Sequence, residues 1–136
     1  MNLVVDTSVV VAALLKPGNT RTLIFSPMLK LYSPERLEIE IIKNKEKFKE
    51  YSHMSEEEFF EALDLLLKQI EIIPLEEYVK KTQEAKDLCK ARDESDWPFA
   101  ALALKLNIPI WTSDPDLLKG QKRVPVMKTS HLTKIL

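Results

Sequence analysis

Five short apolar runs separated by helix-like segments set the fold that this chain can adopt. The runs cover residues 2–6, 29–32, 70–73, 109–113 and 124–127. Short buried strands that alternate with helices are typical of a parallel sheet with helices on both faces. The sequence therefore predicts a three-layer α/β/α fold with a central parallel sheet of about five strands. No linker or repeat divides residues 1–136, so we expect a single domain.

Capping residues mark where several predicted helices begin. Ser33-Pro34 combines a hydroxyl cap with a proline in the first turn, and predicts a helix to about Tyr51. The segment Ser55-Glu56-Glu57-Glu58 has the pattern of a capping box. Ser130 is expected to cap a short terminal helix. The stretch Trp97–Leu106 is apolar nearly all round, which indicates a buried helix.

Composition narrows the functional classes. The two glycines, Gly18 and Gly120, are too few for a glycine-rich phosphate loop, so the nucleotide-binding classes lose their main support. Cys89 is the only cysteine, which excludes an internal disulfide and a cysteine zinc site and indicates a buried thiol in a reducing cytosol. The net charge of -1 neither favours nor excludes a nucleic-acid partner. No apolar run approaches the roughly 18 residues that span a bilayer, so we expect a cytoplasmic protein without membrane segments.

Three acidic residues occupy similar places in this pattern. Asp6 ends the first strand, Asp114 ends the fourth, and Asp96 opens the apolar helix. Acids at strand ends and helix starts converge on one edge of an α/β sheet, where ligands bind. Because neighbouring carboxylates repel, such a cluster is usually held by a hard divalent cation. Each acid taken alone is better explained as a helix cap or a turn residue, so the prediction depends on the whole set.

A fourth acid is expected on the predicted helix that follows Ser33. Its apolar stripe contains Leu37 and Ile41, and Glu38 and Glu40 lie on opposite sides of this stripe. Helical periodicity therefore does not choose between the two glutamates. The lysines further along spread around the helix and are expected to be solvated: Lys43, Lys45, Lys47 and Lys49.

From about residue 1 to 127, four motifs of this chain resemble those of the PIN-domain ribonucleases, which include the toxins of VapBC-type toxin–antitoxin pairs. The first motif is Leu3-Val4-Val5-Asp6-Thr7-Ser8, and the last is Ile110-Trp111-Thr112-Ser113-Asp114. Between them stand a glutamate six residues after Pro34 and an acid, Asp96, before a small apolar helix. The glutamate at that spacing is Glu40, so the resemblance selects it over Glu38.

The resemblance implies an endoribonuclease that depends on Mg²⁺ or Mn²⁺ and hydrolyses RNA phosphodiester bonds. One form of such an enzyme is the toxin of a type II toxin–antitoxin module. For this form, the resemblance implies a homodimer and an antitoxin partner. The implied catalytic and metal-binding residues are Asp6, Glu40, Asp96 and Asp114. The auxiliary candidates are Asp93, Asp116, Thr7, Ser8 and Thr112. The candidates for contacting RNA at the rim are Arg92, Lys119, Lys122 and Arg123.

Two alternatives compete with this reading. A non-catalytic PIN-like module that binds RNA or a protein shares the motifs, although the complete set of acids argues against it. A phosphate-accepting receiver-like domain requires paired acids near the first strand, and Asp6 has no acidic neighbour. His53 and His131 lie outside the motifs, so neither a histidine base nor a Ser-His-Asp triad is expected. For Trp97 and Trp111, core packing is favoured over stacking on an RNA base.

Overall fold

The computed structural model of the protein describes residues 1–89 and 94–136, without the side chain of Glu94. The strands in these ranges are β1 (Asn2–Val5), β2 (Lys30–Pro34), β3 (Ile70–Ile73), β4 (Ile110–Trp111) and β5 (Val126–Met127). The α-helices are α1 (Thr7–Leu15), α2 (Asn19–Ile24), α3 (Arg36–Lys43), α4 (Lys45–Ser52), α5 (Glu56–Leu67), α6 (Thr82–Cys89), α7 (Trp97–Leu106) and α8 (Thr129–Ile135). Short 3₁₀ turns cover Leu75–Glu77, Val79–Lys81 and Glu94–Asp96.

The five strands form one parallel sheet in the order β3-β2-β1-β4-β5. The predicted α/β class with a parallel sheet of five strands is confirmed. The chain adds strands on one side of β1 and then returns to place β4 on the other side. A crevice therefore opens between β1 and β4 at their carboxyl ends, which is where ligands bind in sheets of this kind.

The helices pack against the sheet in two groups. One group surrounds α1, which contacts α2, α3, α4 and α5, whereas the other contains α6 and α7. The β3-to-β4 connection crosses the sheet in the opposite direction from the two earlier connections. Because such crossovers are right-handed, this reversal places α6 and α7 on the other face of the sheet.

The core contains buried residues of β1, β4 and α7, together with buried residues of α1, α3 and α5. Leu3–Val5 have no exposed surface, and the α7 residues Pro98–Ala103 are buried, which confirms the buried helix expected from its composition. Trp111 is also fully buried and its indole nitrogen donates to Thr129 Oγ1 at 3.0 Å, so this tryptophan is a core residue. In the described ranges, no helix has the length and apolar character needed to cross a membrane.

The predicted start of the third helix is wrong. Ser33 and Pro34 belong to β2, where they pair with Ile72 and Ile73 of β3, and the helix begins at Arg36. The serine–proline pair has the local pattern of a helix start, but pairing with the neighbouring strand keeps it extended. The helix also does not run unbroken to Tyr51, because α3 ends at Lys43 and α4 begins at Lys45.

Of the two other capping predictions, one is confirmed and one is wrong. The capping box of α5 is confirmed, since Ser55 Oγ accepts from the Glu58 backbone N–H at 3.1 Å and Glu58 Oε1 accepts from the Ser55 N–H at 3.0 Å. The expected cap at Ser130 is wrong, because α8 already begins at Thr129. The Lys128 N–H that precedes this helix donates to Nδ1 of His131 at 3.1 Å, so His131 has the place in α8 that Glu58 has in the capping box of α5.

Candidate metal centre

Asp6 leaves the carboxyl end of β1 and is 6% exposed. Its backbone stands at the N-cap position of α1, yet its side chain makes no capping hydrogen bond. Instead, Oδ2 accepts from Ser8 Oγ at 2.6 Å and from Thr112 Oγ1 at 2.7 Å. No described residue donates a hydrogen bond to Oδ1. The carboxylate is therefore held in place through one oxygen, and the other oxygen is available to a ligand.

A network of hydroxyl groups joins the ends of β1 and β4. Besides donating to Asp6, Thr112 Oγ1 accepts from the Asp114 N–H at 3.0 Å, and Ser8 Oγ accepts from the Ser113 N–H at 3.0 Å. The two hydroxyl oxygens lie 3.2 Å apart. Since both hydroxyl protons point to Asp6, this last distance is a contact and not a further hydrogen bond. The network fixes the backbone around Asp114 relative to Asp6.

Asp114 begins the turn that follows β4. Its Oδ1 accepts from the Asp116 N–H at 2.9 Å, which orients the carboxylate within the turn. The carboxylate of Asp116 is in turn 3.7 Å from the Lys119 ammonium, and the Lys119 side chain is 74% exposed. Lys119 therefore lies next to the acidic edge.

Glu40 and Asp96 line one cleft of about 420 Å³. Thr7, the neighbour of Asp6 in sequence, lines the same cleft. Glu40 is 28% exposed, and its Oε1 is 3.0 Å from Nε of Arg36. Asp96 stands at the N-cap of α7 without a capping hydrogen bond from its side chain. As at Asp6, the position expected for a cap is occupied by a carboxylate that does not cap the helix.

The Thr7 hydroxyl oxygen is the buried side-chain polar atom in the described ranges that has no hydrogen-bond partner. A buried hydroxyl without a partner is unfavourable by about 1–3 kcal/mol. Thr7 also contributes to the wall of the cleft that Glu40 and Asp96 line.

The donors of this region suit a hydrated hard cation. Within residues 1–89 and 94–136, no three acidic, histidine or cysteine side chains come close enough to enclose a metal ion. These residues therefore do not form a compact cage of protein ligands. Mg²⁺ keeps several of its waters and binds through one or two carboxylates, so the carboxylate oxygens of this region suit it without a closed cage of protein ligands.

Two other predicted site residues, Lys122 and Arg123, are not brought to these acids. Arg92 and Asp93 lie outside the described residues. Arg123 is at the amino edge of the sheet, where its guanidinium is 2.6 Å from the carboxylate of Glu84. Lys122 is an exposed residue of the turn that precedes β5.

Sequence reasoning missed two residues near the acids. Ser33 is fully buried and its hydroxyl donates to the Val5 carbonyl at 2.9 Å, which fixes the end of β1 immediately before Asp6. No local signal reveals this, because the serine–proline pair has the pattern of a cap. Arg36 was also missed, although its spacing of four residues from Glu40 is that of a helical ion pair and was a readable signal.

Comparison with models of protein families identifies the family of this chain. The model of the PIN domain matches residues 4–134, nearly the whole chain. A search of the curated proteins found no match. This chain belongs to the PIN domain family, whose members are typically metal-dependent nucleases. The resemblance derived from the motifs is confirmed at the level of the family.

Proposed function

We propose that this protein is an endoribonuclease that depends on Mg²⁺ or Mn²⁺ and hydrolyses phosphodiester bonds of RNA. The observation that carries the proposal is the state of Asp6: it stands where a helix cap is expected, but two hydroxyl groups from different elements hold its carboxylate instead. Such a network around one carboxylate is typical of a metal ligand and its supporting residues.

In this proposal Asp6, Glu40, Asp96 and Asp114 hold the cation, directly or through water. A bound divalent cation supplies a water of lowered pKa and offsets the negative charge of the phosphodiester. Ser8 and Thr112 keep Asp6 in one orientation, and the Asp116 N–H does the same for Asp114. Thr7, which lines the cleft with Glu40 and Asp96, is a proposed supporting residue of this site. Asp93 remains a proposed auxiliary acid.

The resemblance to toxin subunits also supports a narrower proposal. In it, the protein is the toxin of a type II toxin–antitoxin module, acts as a homodimer and is neutralised by an antitoxin protein. An open reading frame for a small antitoxin-like protein immediately upstream of the coding sequence would support this role. Light scattering on the purified chain tests the homodimer, and a monomer at micromolar concentration would contradict it.

The decisive experiment measures cleavage of single-stranded RNA by the wild-type protein and by Asp6→Asn and Asp96→Asn. We expect cleavage with Mg²⁺ or Mn²⁺, none with EDTA, and a loss of at least about a hundredfold in each variant, because the cation contributes several kcal/mol to the transition state. Asp64→Asn, an exposed residue of α5, is the matched control and should cleave normally. Cleavage that persists in EDTA, or full activity in both site variants, contradicts the proposal.

A further inference from the structure

Three charged side chains follow one face of α3 along the cleft. Arg36, Glu40 and Lys43 are separated by four and three residues, the spacing that aligns side chains on a helix. All three line the cleft that also contains Asp96. A guanidinium group and an ammonium group therefore lie on either side of the glutamate that we propose as a metal ligand.

Two of the three lysines of the next helix are engaged elsewhere. The ammonium groups of Lys45 and Lys49 both contact the carboxylate of Glu56 on α5, Lys49 at 3.7 Å. Lys43, by contrast, has no acidic partner within 4 Å among the residues that the structure describes. Of the four lysines that alternate along the sequence, Lys45 and Lys49 thus contact α5, and Lys43 lines the cleft.

Arg36 also keeps most of its hydrogen-bonding capacity. Within the described residues, only its Nε contacts Glu40, and the two terminal nitrogens of the guanidinium make no recorded hydrogen bond. The Arg36 and Glu40 side chains are 44% and 28% exposed, and ion pairs at such exposure add little to stability. A ligand can therefore replace Glu40 as the partner of the guanidinium group with little loss of stability.

We infer that Arg36 and Lys43 bind a backbone phosphate of the RNA next to the one that is cleaved. The inference rests on the proposed function, since it names the residues that hold the substrate of that site. RNA must approach a cleft that contains Glu40 and Asp96, and cations on the same helix face offset this repulsion. The planar guanidinium matches two phosphate oxygens, and an ammonium group adds a point charge.

Binding of a fluorescein-labelled single-stranded RNA oligonucleotide, measured by anisotropy over about 50 to 200 mM KCl, tests this inference. Ca²⁺ replaces Mg²⁺ so that binding is measured without turnover, and a gel verifies that the RNA stays intact. Arg36→Gln and Lys43→Gln should each weaken binding roughly three- to tenfold. Each should also reduce the slope of log affinity against log salt by about 0.7, the effect of one lost phosphate contact on a single strand.

Three variants serve as controls. Arg36→Lys keeps the charge and should restore most of the salt slope, which a purely structural role of Arg36 would not predict. Arg123→Gln and Lys105→Gln remove matched charges at the amino edge of the sheet and the last turn of α7, and should bind RNA as the wild type does. Thermal unfolding verifies that every variant is folded.

The outcomes separate this inference from the proposed function. Wild-type affinity and slope in both Arg36→Gln and Lys43→Gln overturn the phosphate-binding role, whether or not the protein cleaves RNA. Reduced slopes in a protein that never cleaves RNA support the phosphate-binding role and overturn the nuclease proposal alone. The absence of RNA binding by the wild-type protein overturns both.

Discussion

Thr112 is the residue on which the geometry of the proposed site depends most. Its hydroxyl donates to Asp6 and accepts from the Asp114 backbone, so it joins two acids that are 108 positions apart (114 minus 6). The threonine is fully buried, and water cannot replace its hydrogen bonds without rearrangement of the strand ends. Loss of this one hydroxyl should therefore disturb both acids together.

We predict that Thr112→Val lowers the affinity for Mn²⁺ by about 10–100-fold, the usual effect of removing a residue that supports a metal ligand. The substitution preserves the shape of the side chain and removes its hydroxyl, which leaves the Asp114 N–H without its acceptor. It should also lower the free energy of unfolding by about 1–3 kcal/mol. Calorimetric titration with Mn²⁺ and thermal unfolding measure the two effects.

Thr112→Ser is the matched control, because serine retains the hydroxyl and loses only a methyl group. Its Mn²⁺ affinity should stay close to that of the wild type. Equal Mn²⁺ affinities for Thr112→Val and Thr112→Ser would show that the hydroxyl bridge does not position the acids.

The role of Asp6 shows why single residues were hard to assign from the sequence. An aspartate before a helix is most often a cap, and the motif Asp6-Thr7-Ser8 has that local pattern. What distinguishes Asp6 is a hydrogen bond from a residue 106 positions away. Local patterns contain no information on such a contact, so the acids could be proposed as a set although each one alone has the pattern of a cap, a turn or a surface residue.

At the scale of elements, α3 shows what periodicity predicts and what it leaves open. The helical pattern correctly buries Leu37 and Ile41, but it placed Glu38 and Glu40 symmetrically about that stripe. In the structure Glu40 lines the cleft with Asp96, whereas Glu38 lies beside the exposed Ile42 on another surface. The difference arises from the neighbours of α3, which a helical wheel does not include.

Helix α5 begins with a capping box whose contribution is measurable. The substitution Ser55→Ala removes the acceptor for the Glu58 N–H and should lower the free energy of unfolding by about 1 kcal/mol. For a chain of this length, that corresponds to roughly 3–5 °C in the melting temperature. Ser130→Ala is the control, because Ser130 lies within α8 and caps nothing, so its melting temperature should match that of the wild type. A larger loss at Ser130 than at Ser55 would contradict this assignment of the caps.

The same capping box predicts a dependence on pH. The hydrogen bond from the Ser55 backbone to the carboxylate lowers the pKa of Glu58 in the folded protein. Because the folded pKa lies below the unfolded value of about 4.3, the stabilisation is complete above that value and is lost as the pH falls through the folded pKa. The variant Glu58→Gln has no carboxylate to protonate, so it should lack this contribution to the loss of stability in acid. Thermal unfolding of both proteins between about pH 3 and 7 measures the difference. An unchanged pH profile would contradict the role of this carboxylate.

At the scale of the whole molecule, alternation of strands and helices was enough to predict a parallel five-stranded α/β sheet. The order of the strands was not predictable in this way, because periodicity does not indicate on which side of β1 the chain places β4. That placement creates the crevice in which Asp6 meets Thr112. Periodicity also does not indicate which acids belong to one site. The family resemblance did so, because the four motifs occur in the same order in the family.

We propose that acids from four separate parts of the chain hold one divalent cation, and calorimetric titration with Mn²⁺ is the decisive measurement. We predict saturable binding by the wild type and at least about a tenfold loss of affinity in each of four variants: Asp6→Asn, Glu40→Gln, Asp96→Asn and Asp114→Asn. Asp64→Asn should bind as the wild type does. Binding at 100 times the dissociation constant should also stabilise the fold by about 2.7 kcal/mol. No Mn²⁺ binding by the wild type, or unchanged affinity in all four variants, would contradict the account.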